Sequence, residues 1–189
     1  HEDGAATFEL YSMFITGNSA TVTSAGSPVA GGIFTFPKLD HTALDGYIPK
    51  NKKGPFKTFL TLVHPYAERN IDFFNDYKSI EKFCPIDYLI ENDFVVVLLS
   101  LDTVAKDIKE AKNTGIFSLI DNEKHAKTGL LSLWSWGARR VIDYLEKLEY
   151  IDNKNIAVIG HSRGGKTALL TGAIDERVIL TISNNSLIE

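Results

Sequence analysis

The chain has 189 residues, of which 44% are hydrophobic and 23% charged, a balance typical of a folded domain with one good core. Its net charge is −4 and its basic residues are scattered, which argues against nucleic acid or an anionic membrane as a partner. Cys84 is the only cysteine, so an internal disulfide, a thiolate metal site and a CxxC redox motif are all excluded. We expect this thiol to be buried.

No apolar run approaches the roughly 18 residues of a membrane-spanning helix, and the first residues do not resemble a signal peptide. The lack of disulfides favours a cytoplasmic location. A secreted location stays open, because the chain starts at His1 rather than at a methionine. The sequence leaves the oligomeric state open.

The first fifty residues are rich in Gly, Ala, Ser and Thr and contain two strand-like stretches, 7–15 and 33–37. We predict that they form the antiparallel start of a sheet. His41 lies near Asp40 and Asp45, but the spacing matches no metal-ligand pattern. A polar loop with no functional role is therefore expected there.

A short buried strand is predicted at 59–63, and it ends in the sequence HPYA (64–67). Loops that follow the strands of a parallel sheet at its carboxyl edge line the ligand cleft. His64 and Tyr66 are therefore candidate substrate contacts. A strand-end His64 that is hydrogen-bonded to backbone is an equally good interpretation.

Residues 71–90 predict a helical layer that Pro85 interrupts. The run 94–99 is the strongest buried-strand signal in the chain. Asp102 follows it, and we predict a solvated turn or cap residue in preference to a cleft residue. The mixed charges of 103–127 predict a solvated connection.

Apolar residues at helical spacing between 128 and 148 predict an amphipathic helix, in which Trp134 and Trp136 serve packing and the rim. Residues 152–155 predict a turn into the next strand. A further parallel strand is predicted at 178–182.

The most informative stretch is GHSRG (160–164), a GxSxG turn between an apolar strand at 156–159 and a helix rich in small residues. This context predicts a nucleophile elbow, which lifts the Ser162 hydroxyl clear of the sheet at the N-terminus of the helix. The backbone N–H of Arg163 would then face a developing oxyanion. In an α/β hydrolase, which such an elbow indicates, the loop after the earlier strand supplies the second N–H of this oxyanion hole, and here that loop is 64–67. A glycine-rich turn with a solvated serine is the alternative.

The sequence GHSRGGKTAL (160–169), followed by GAIDER (172–177) and SNNS (183–186), resembles the glucuronoyl esterases of carbohydrate esterase family 15 and their acetyl-xylan-esterase-like bacterial relatives. The upstream WSWGARR (134–140) is similar too. The resemblance implies an α/β-hydrolase fold: a mostly parallel sheet with helices on both faces, here as a single domain over 1–189.

The same resemblance implies roles for three residues of the elbow. Ser162 would be the nucleophile, Arg163 would stabilise the oxyanion, and Lys166 would reach a uronate or its ester. Leu187 departs from the family, in which a glycine usually stands there.

The remainder of a serine triad is missing after the elbow. The fold's order is serine, acid, histidine, yet no histidine follows Ser162. Asp175 and Glu176 are better explained by a helix end or a salt bridge. We therefore expect a chain that is incomplete at its C-terminus, with the cap and late triad elements absent. Completion of the triad by His64 or His125 is a second explanation, and a non-catalytic domain that kept its elbow is a third.

The sequence thus predicts a serine esterase that forms an acyl-enzyme on Ser162 and hydrolyses it with water, without a metal or an organic cofactor. The resemblance implies a carbohydrate-linked ester as substrate, either a glucuronate ester or an acetylated sugar. A general carboxylesterase or peptidase on the same scaffold is one alternative. A non-catalytic binding domain is the other.

Overall fold

The computed structural model describes residues 7–9, 19–23, 31–35, 44–50, 52–64, 84–109 and 128–186. Its strands are β1 Thr7–Glu9, β2 Ser19–Thr23, β3 Gly31–Thr35, β4 Leu44–Pro49, β5 Phe56–Val63, β6 Phe94–Ser100, β7 Ile151–His161 and β8 Val178–Asn184. Its helices are α1 Ile86–Glu91, α2 Leu101–Val104, α3 Leu130–Leu145 and α4 Arg163–Ile174. The described strands form one sheet in the order β1-β2-β3-β4-β6-β5-β7-β8.

The sheet has an antiparallel part and a parallel part. Strands β1 to β4 pair antiparallel in chain order, and β4 pairs antiparallel with β6. Strands β6, β5, β7 and β8 run parallel to one another. The predicted antiparallel start and parallel continuation are therefore confirmed. The carboxyl ends of β5, β6 and β7 meet at one edge, where an α/β sheet places its ligands.

Strand β6 is apolar from Phe94 to Leu99 because both of its faces are covered. Val95 and Val97 belong to the core beneath α3 and α4, whereas Val96 and Leu98 pack in a second cluster with residues of α1. Helices thus lie on both faces of the sheet, as the predicted α/β-hydrolase fold requires. Cys84 is buried in the second cluster, as predicted, with Sγ 3.5 Å from the Thr61 hydroxyl.

Helix α3 buries one face against the sheet, and its central residue there is Trp134. The indole is fully buried, and its Nε1 donates a hydrogen bond of 2.8 Å to the Ala105 carbonyl. Trp136 is partly buried against the same core. Both tryptophans therefore serve packing, as predicted.

One stretch differs from its prediction, and parts of others lie outside the described residues. Residues 152–155 lie within β7, at a register shift against β5, and the Asp152 carboxylate accepts a hydrogen bond from the Lys154 N–H. The predicted turn is thus a local irregularity of the strand. Most of 71–90 and of 103–127 lies outside the described residues, as does His41.

A network of charged side chains ties the end of α4 to α3. The Asp175 carboxylate accepts hydrogen bonds from Arg177 Nε at 2.8 Å, Arg177 Nη2 at 2.6 Å and Arg139 Nε at 3.2 Å. The Asp175 side chain is only 4% exposed, and these bonds, those from Arg177 foremost, lower its pKa to about 2. Asp175 is therefore a helix-end salt-bridge residue, as expected.

Replacing Asp175 by asparagine is expected to lower the free energy of unfolding by about 2 kcal/mol at pH 7, because each pKa unit of difference is worth about 1.4 kcal/mol. The pKa of Asp175 is lowered on folding, so its contribution is present above its unfolded pKa, near 4, and is lost as the pH falls towards 2. Urea unfolding at pH 7 and pH 3 measures this. The loss of unfolding free energy in Asp175→Asn should be smaller at pH 3 than at pH 7. Glu176→Gln, which changes an exposed neighbour, should have the same unfolding free energy as the parent at both pH values. A deficit independent of pH would contradict the assignment.

Candidate active site

Ser162 lies between the end of β7 and the start of α4, with φ 52° and ψ −117°. A positive φ is strained for a residue other than glycine and marks a turn that the surrounding structure holds in place. The Ser162 N–H donates to the Asn184 carbonyl at 2.9 Å, and the Ser162 carbonyl accepts from the Lys166 N–H at 3.1 Å. The predicted nucleophile elbow is therefore present.

Two glycines let the first turn of α4 approach the end of β7. A Cβ on Gly160 would lie 2.3 Å from the carbonyl carbon and oxygen of Gly164. A Cβ on Gly165 would lie 1.9 Å from Ser186 Oγ, which itself hydrogen-bonds to the Ser162 carbonyl at 3.0 Å. The backbone on both sides of Ser162 is thus packed too closely for any side chain.

Ser162 is half-buried, and no described residue forms a hydrogen bond with its Oγ. The described histidines are His64 and His161. His161 is half-buried beside the elbow, and the ring of His64 forms a hydrogen bond with Asp107. His125 lies outside the described residues, so completion of the triad by that histidine stays a hypothesis.

His64 follows directly after β5 and contacts an acidic residue beyond β6. Its Nε2 lies 3.1 Å from Asp107 Oδ2, and the same oxygen forms an ion pair with Arg163 Nη1. The imidazole packs edge-on against Trp134, with ring centroids 5.1 Å apart. Asp107 therefore links the end of β5 to the first residue of α4.

Burial lowers the pKa of His64, since a charged imidazolium is disfavoured away from water, and nearby Arg163 lowers it too. The carboxylate of Asp102 and a backbone hydrogen bond act in the opposite direction. The lowered pKa favours the neutral form of the His64 imidazole near pH 7. In the neutral tautomer that carries its hydrogen on Nε2, the Nε2–H donates a hydrogen bond to Asp107 Oδ2.

Asp102 differs from its prediction as a solvated residue. It lies in the first turn of α2, and its Oδ1 is buried without a hydrogen-bond partner among the described residues. Burial raises its pKa, while His64 and Lys106 oppose that rise. Asp102 is thus half-buried rather than fully solvated, because α2 begins immediately after β6, whose end is itself buried.

The structure brings four of the five predicted site residues to one edge of the sheet. Ser162, Arg163 and Lys166 share the elbow and its helix, and His64 joins them through Asp107. Tyr66 and Leu187 lie outside the described residues. The second oxyanion-hole N–H, expected from 64–67, therefore stays a prediction. Sequence reasoning missed Asp107, whose only signal was a carboxylate shortly after a buried strand.

The described residues contain no group of His, Cys, Asp or Glu arranged to hold a metal ion. Within the same residues, no helix has the length and apolarity that crossing a membrane requires.

Arg163 is the first residue of α4, so its backbone N–H lies next to Ser162, and its side chain starts from the same end of the helix. The N-terminus of a helix carries partial positive charge from its unpaired N–H groups. An oxygen that gains negative charge beside Ser162 would meet this end of the helix and the arginine together. The arrangement suits acyl transfer through an oxyanion.

A strained serine on a strand-turn-helix elbow, at the carboxyl edge of a parallel sheet, defines an α/β hydrolase. The family model described as "Glucuronyl esterase, fungi" matches residues 76–189, a span that includes the whole elbow. The chain therefore belongs to the glucuronoyl esterase family, which confirms the resemblance drawn from the sequence.

Individual relatives agree with this family. Carbohydrate esterase MZ0003, from an unknown prokaryotic organism, is 52% identical over 58 residues, or 31% of this chain and 13% of that protein. The 4-O-methyl-glucuronoyl methylesterase of Phanerochaete carnosa is 35% identical over 97 residues, or 50% of this chain and 24% of that protein.

The fold is shared with a solved structure, the glucuronoyl esterase from Solibacter usitatus, at a TM-score of 0.70 and 22% identity. The match covers 96% of this chain and 55% of that one. The chain thus spans about half the length of this structural relative and less than a quarter of the two curated relatives.

Proposed function

We propose that this protein is a serine esterase that hydrolyses carbohydrate-linked carboxylic esters, with glucuronate esters as the preferred class. The observation that carries the proposal is the strained elbow, which places Ser162 directly before Arg163 at the start of α4. Membership of the glucuronoyl esterase family supports it.

In the proposed reaction, Ser162 Oγ attacks the ester carbonyl carbon and loses its proton to a base. The carbonyl oxygen becomes an oxyanion, which the backbone N–H and guanidinium of Arg163 stabilise. Collapse of this intermediate expels the alcohol, which takes up a proton, and leaves the acyl group on Ser162. Water then attacks the acyl-enzyme, releases the acid and restores the hydroxyl.

The preference for uronate esters rests on the elbow's positive charge and on the relatives. The Phanerochaete carnosa relative is named for 4-O-methyl-glucuronoyl methylester hydrolysis. Lys166 lies one turn along α4 from Ser162 and is half-buried, so it can offer a cation to the oxygen atoms of a bound sugar acid. His64 and Tyr66 would border the same cleft.

The test compares three esters under the same conditions: the methyl ester of 4-O-methyl-glucuronic acid, an acetylated xylo-oligosaccharide and p-nitrophenyl acetate. We expect the highest kcat/KM for the uronate ester. A higher kcat/KM for the acetylated sugar would keep the assignment as an esterase but change the proposed substrate class. Equal rates on all three would indicate a general carboxylesterase, and hydrolysis of none would indicate a non-catalytic binding domain.

Replacing Arg163 by alanine is expected to lower kcat by about 10²–10³ with little change in KM, because loss of one oxyanion donor costs that much when the donor acts in the transition state. Arg163→Lys keeps the charge and should recover part of the rate. Arg140→Ala serves as the control, because it removes an arginine of α3 that likewise forms an ion pair with an aspartate, Asp143. A rise in KM alone would instead assign Arg163 to ground-state binding.

A further inference from the structure

We propose that Asp107 is a positioning residue that holds the Arg163 guanidinium beside Ser162, and that His64 in turn holds Asp107. This inference rests on the proposed function, since it concerns the group that would stabilise the oxyanion. It adds Asp107, from the segment after α2, to the working site and gives His64, at the end of β5, a positioning role.

Arg163 needs such a partner because its side chain is 58% exposed. An exposed arginine has about 2 kcal/mol of rotamer entropy, which opposes any single position of the guanidinium. Oxyanion stabilisation is effective when the donors are in place before the charge develops. A free arginine at this position would spend most of its time directed into water.

The Asp107 carboxylate supplies that constraint through one atom. Its Oδ2 receives both the Arg163 Nη1 contact and the bond from His64 Nε2. The ion pair involves Nη1, and a guanidinium has five N–H donors in all, so donors other than those of Nη1 can bind substrate. The carboxylate thus orients the guanidinium and still leaves it N–H donors that can bind substrate.

Isolated surface ion pairs contribute little because both partners move. Asp107 differs from such a residue: it is 24% exposed, and His64 behind it is only 12% exposed. His64 is fixed edge-on against the fully buried Trp134, whose indole bonds to the carbonyl of Ala105. A continuous series of contacts therefore runs from the core through His64 and Asp107 to Arg163.

The neutral state of His64 suits this role. A neutral imidazole donates a hydrogen bond to Asp107 but leaves the negative charge of the carboxylate available to Arg163. A charged imidazolium would compete for that carboxylate and repel the guanidinium.

A double-mutant cycle on the complete natural protein tests the catalytic consequence. We expect Asp107→Ala to lower kcat by roughly 10-fold with KM nearly unchanged, less than the loss from removing Arg163 itself. In the Arg163→Ala background the same substitution should cost nothing further. The inference would be overturned if Asp107→Ala lowered kcat equally in the parent and in Arg163→Ala. It would also be overturned if Asp107→Ala left the kcat of the parent unchanged.

The contact itself can be measured without any activity. In ¹⁵N NMR spectra of the arginine side chains, we expect slow guanidinium rotation for Arg163 in the parent protein and fast rotation in Asp107→Ala. His64→Ala should loosen Arg163, and His64→Gln, which keeps an N–H donor, should restore both the slow rotation and the rate. Fast rotation of Arg163 in the parent would overturn the inference, even in an active esterase.

Asp143→Ala is the matched control. It breaks a similar aspartate–arginine ion pair, to Arg177, which follows the C-terminal end of α4. The 12 residues of α4 put this end about 18 Å from the N-terminal end, where Arg163 lies. It should leave kcat and the Arg163 signal unchanged. A parent protein that hydrolyses no ester would overturn the proposed function and the catalytic role of Asp107, while the NMR result still decides whether Asp107 holds Arg163.

Discussion

Ser162→Ala is expected to abolish covalent labelling by a fluorophosphonate and to lower kcat/KM for esters by about 10⁴-fold or more, because removal of the nucleophile leaves only the contribution of binding and the oxyanion hole. The fold should survive, since alanine and serine have similar costs at the positive φ of this position. Intact-protein mass spectrometry before and after treatment gives the number of adducts directly.

Ser183→Ala is the control for that experiment, because Ser183 lies near the end of β8 and close to the elbow at Gly165. It should carry the same single adduct as the parent. An adduct that persists in Ser162→Ala would mean that the nucleophile lies elsewhere. A folded parent that takes up no adduct would favour the non-catalytic alternative, in which the elbow is retained without an activated serine.

Gly160→Ala is expected to destabilise the protein by about 3 kcal/mol, the upper end of the usual cost of an overpacked contact, and to abolish fluorophosphonate labelling. The added Cβ would lie 2.3 Å from the Gly164 backbone, which cannot move aside as a flexible side chain could. Either α4 shifts away from β7 and Ser162 loses its position, or the strain is retained as an overpacked contact. Urea unfolding followed by tryptophan fluorescence measures the stability.

The control for this substitution is Gly129→Ala, directly before α3. A Cβ there meets no atom within 4 Å, and the backbone is extended, with φ −79° and ψ 158°. The free energy of unfolding of the Gly129→Ala variant should therefore stay within about 0.5 kcal/mol of that of the parent. A Gly160→Ala protein that is equally stable and equally labelled would show that the elbow tolerates a side chain and would weaken the assignment of its geometry.

The elbow and the parallel strands were predictable because their signals are local. GHSRG (160–164) needs no distant partner to define a sharp turn, and the apolar runs of β6 and β7 indicate strands buried on both faces. The antiparallel strands were harder: β2 and β4 carry mixed polar residues, and neither was predicted. Their pairing depends on neighbours rather than on a strong pattern of their own.

The sequence by itself determined the buried thiol at Cys84, the strand-turn-helix around Ser162, and the family to which the chain belongs. Only the tertiary structure decided that His64, Asp107 and Arg163 meet. These residues follow β5, β6 and β7 at distant points of the chain, and no local pattern relates them. They come together because β5 lies between β6 and β7 in the sheet, so that the carboxyl ends of three parallel strands open onto one edge.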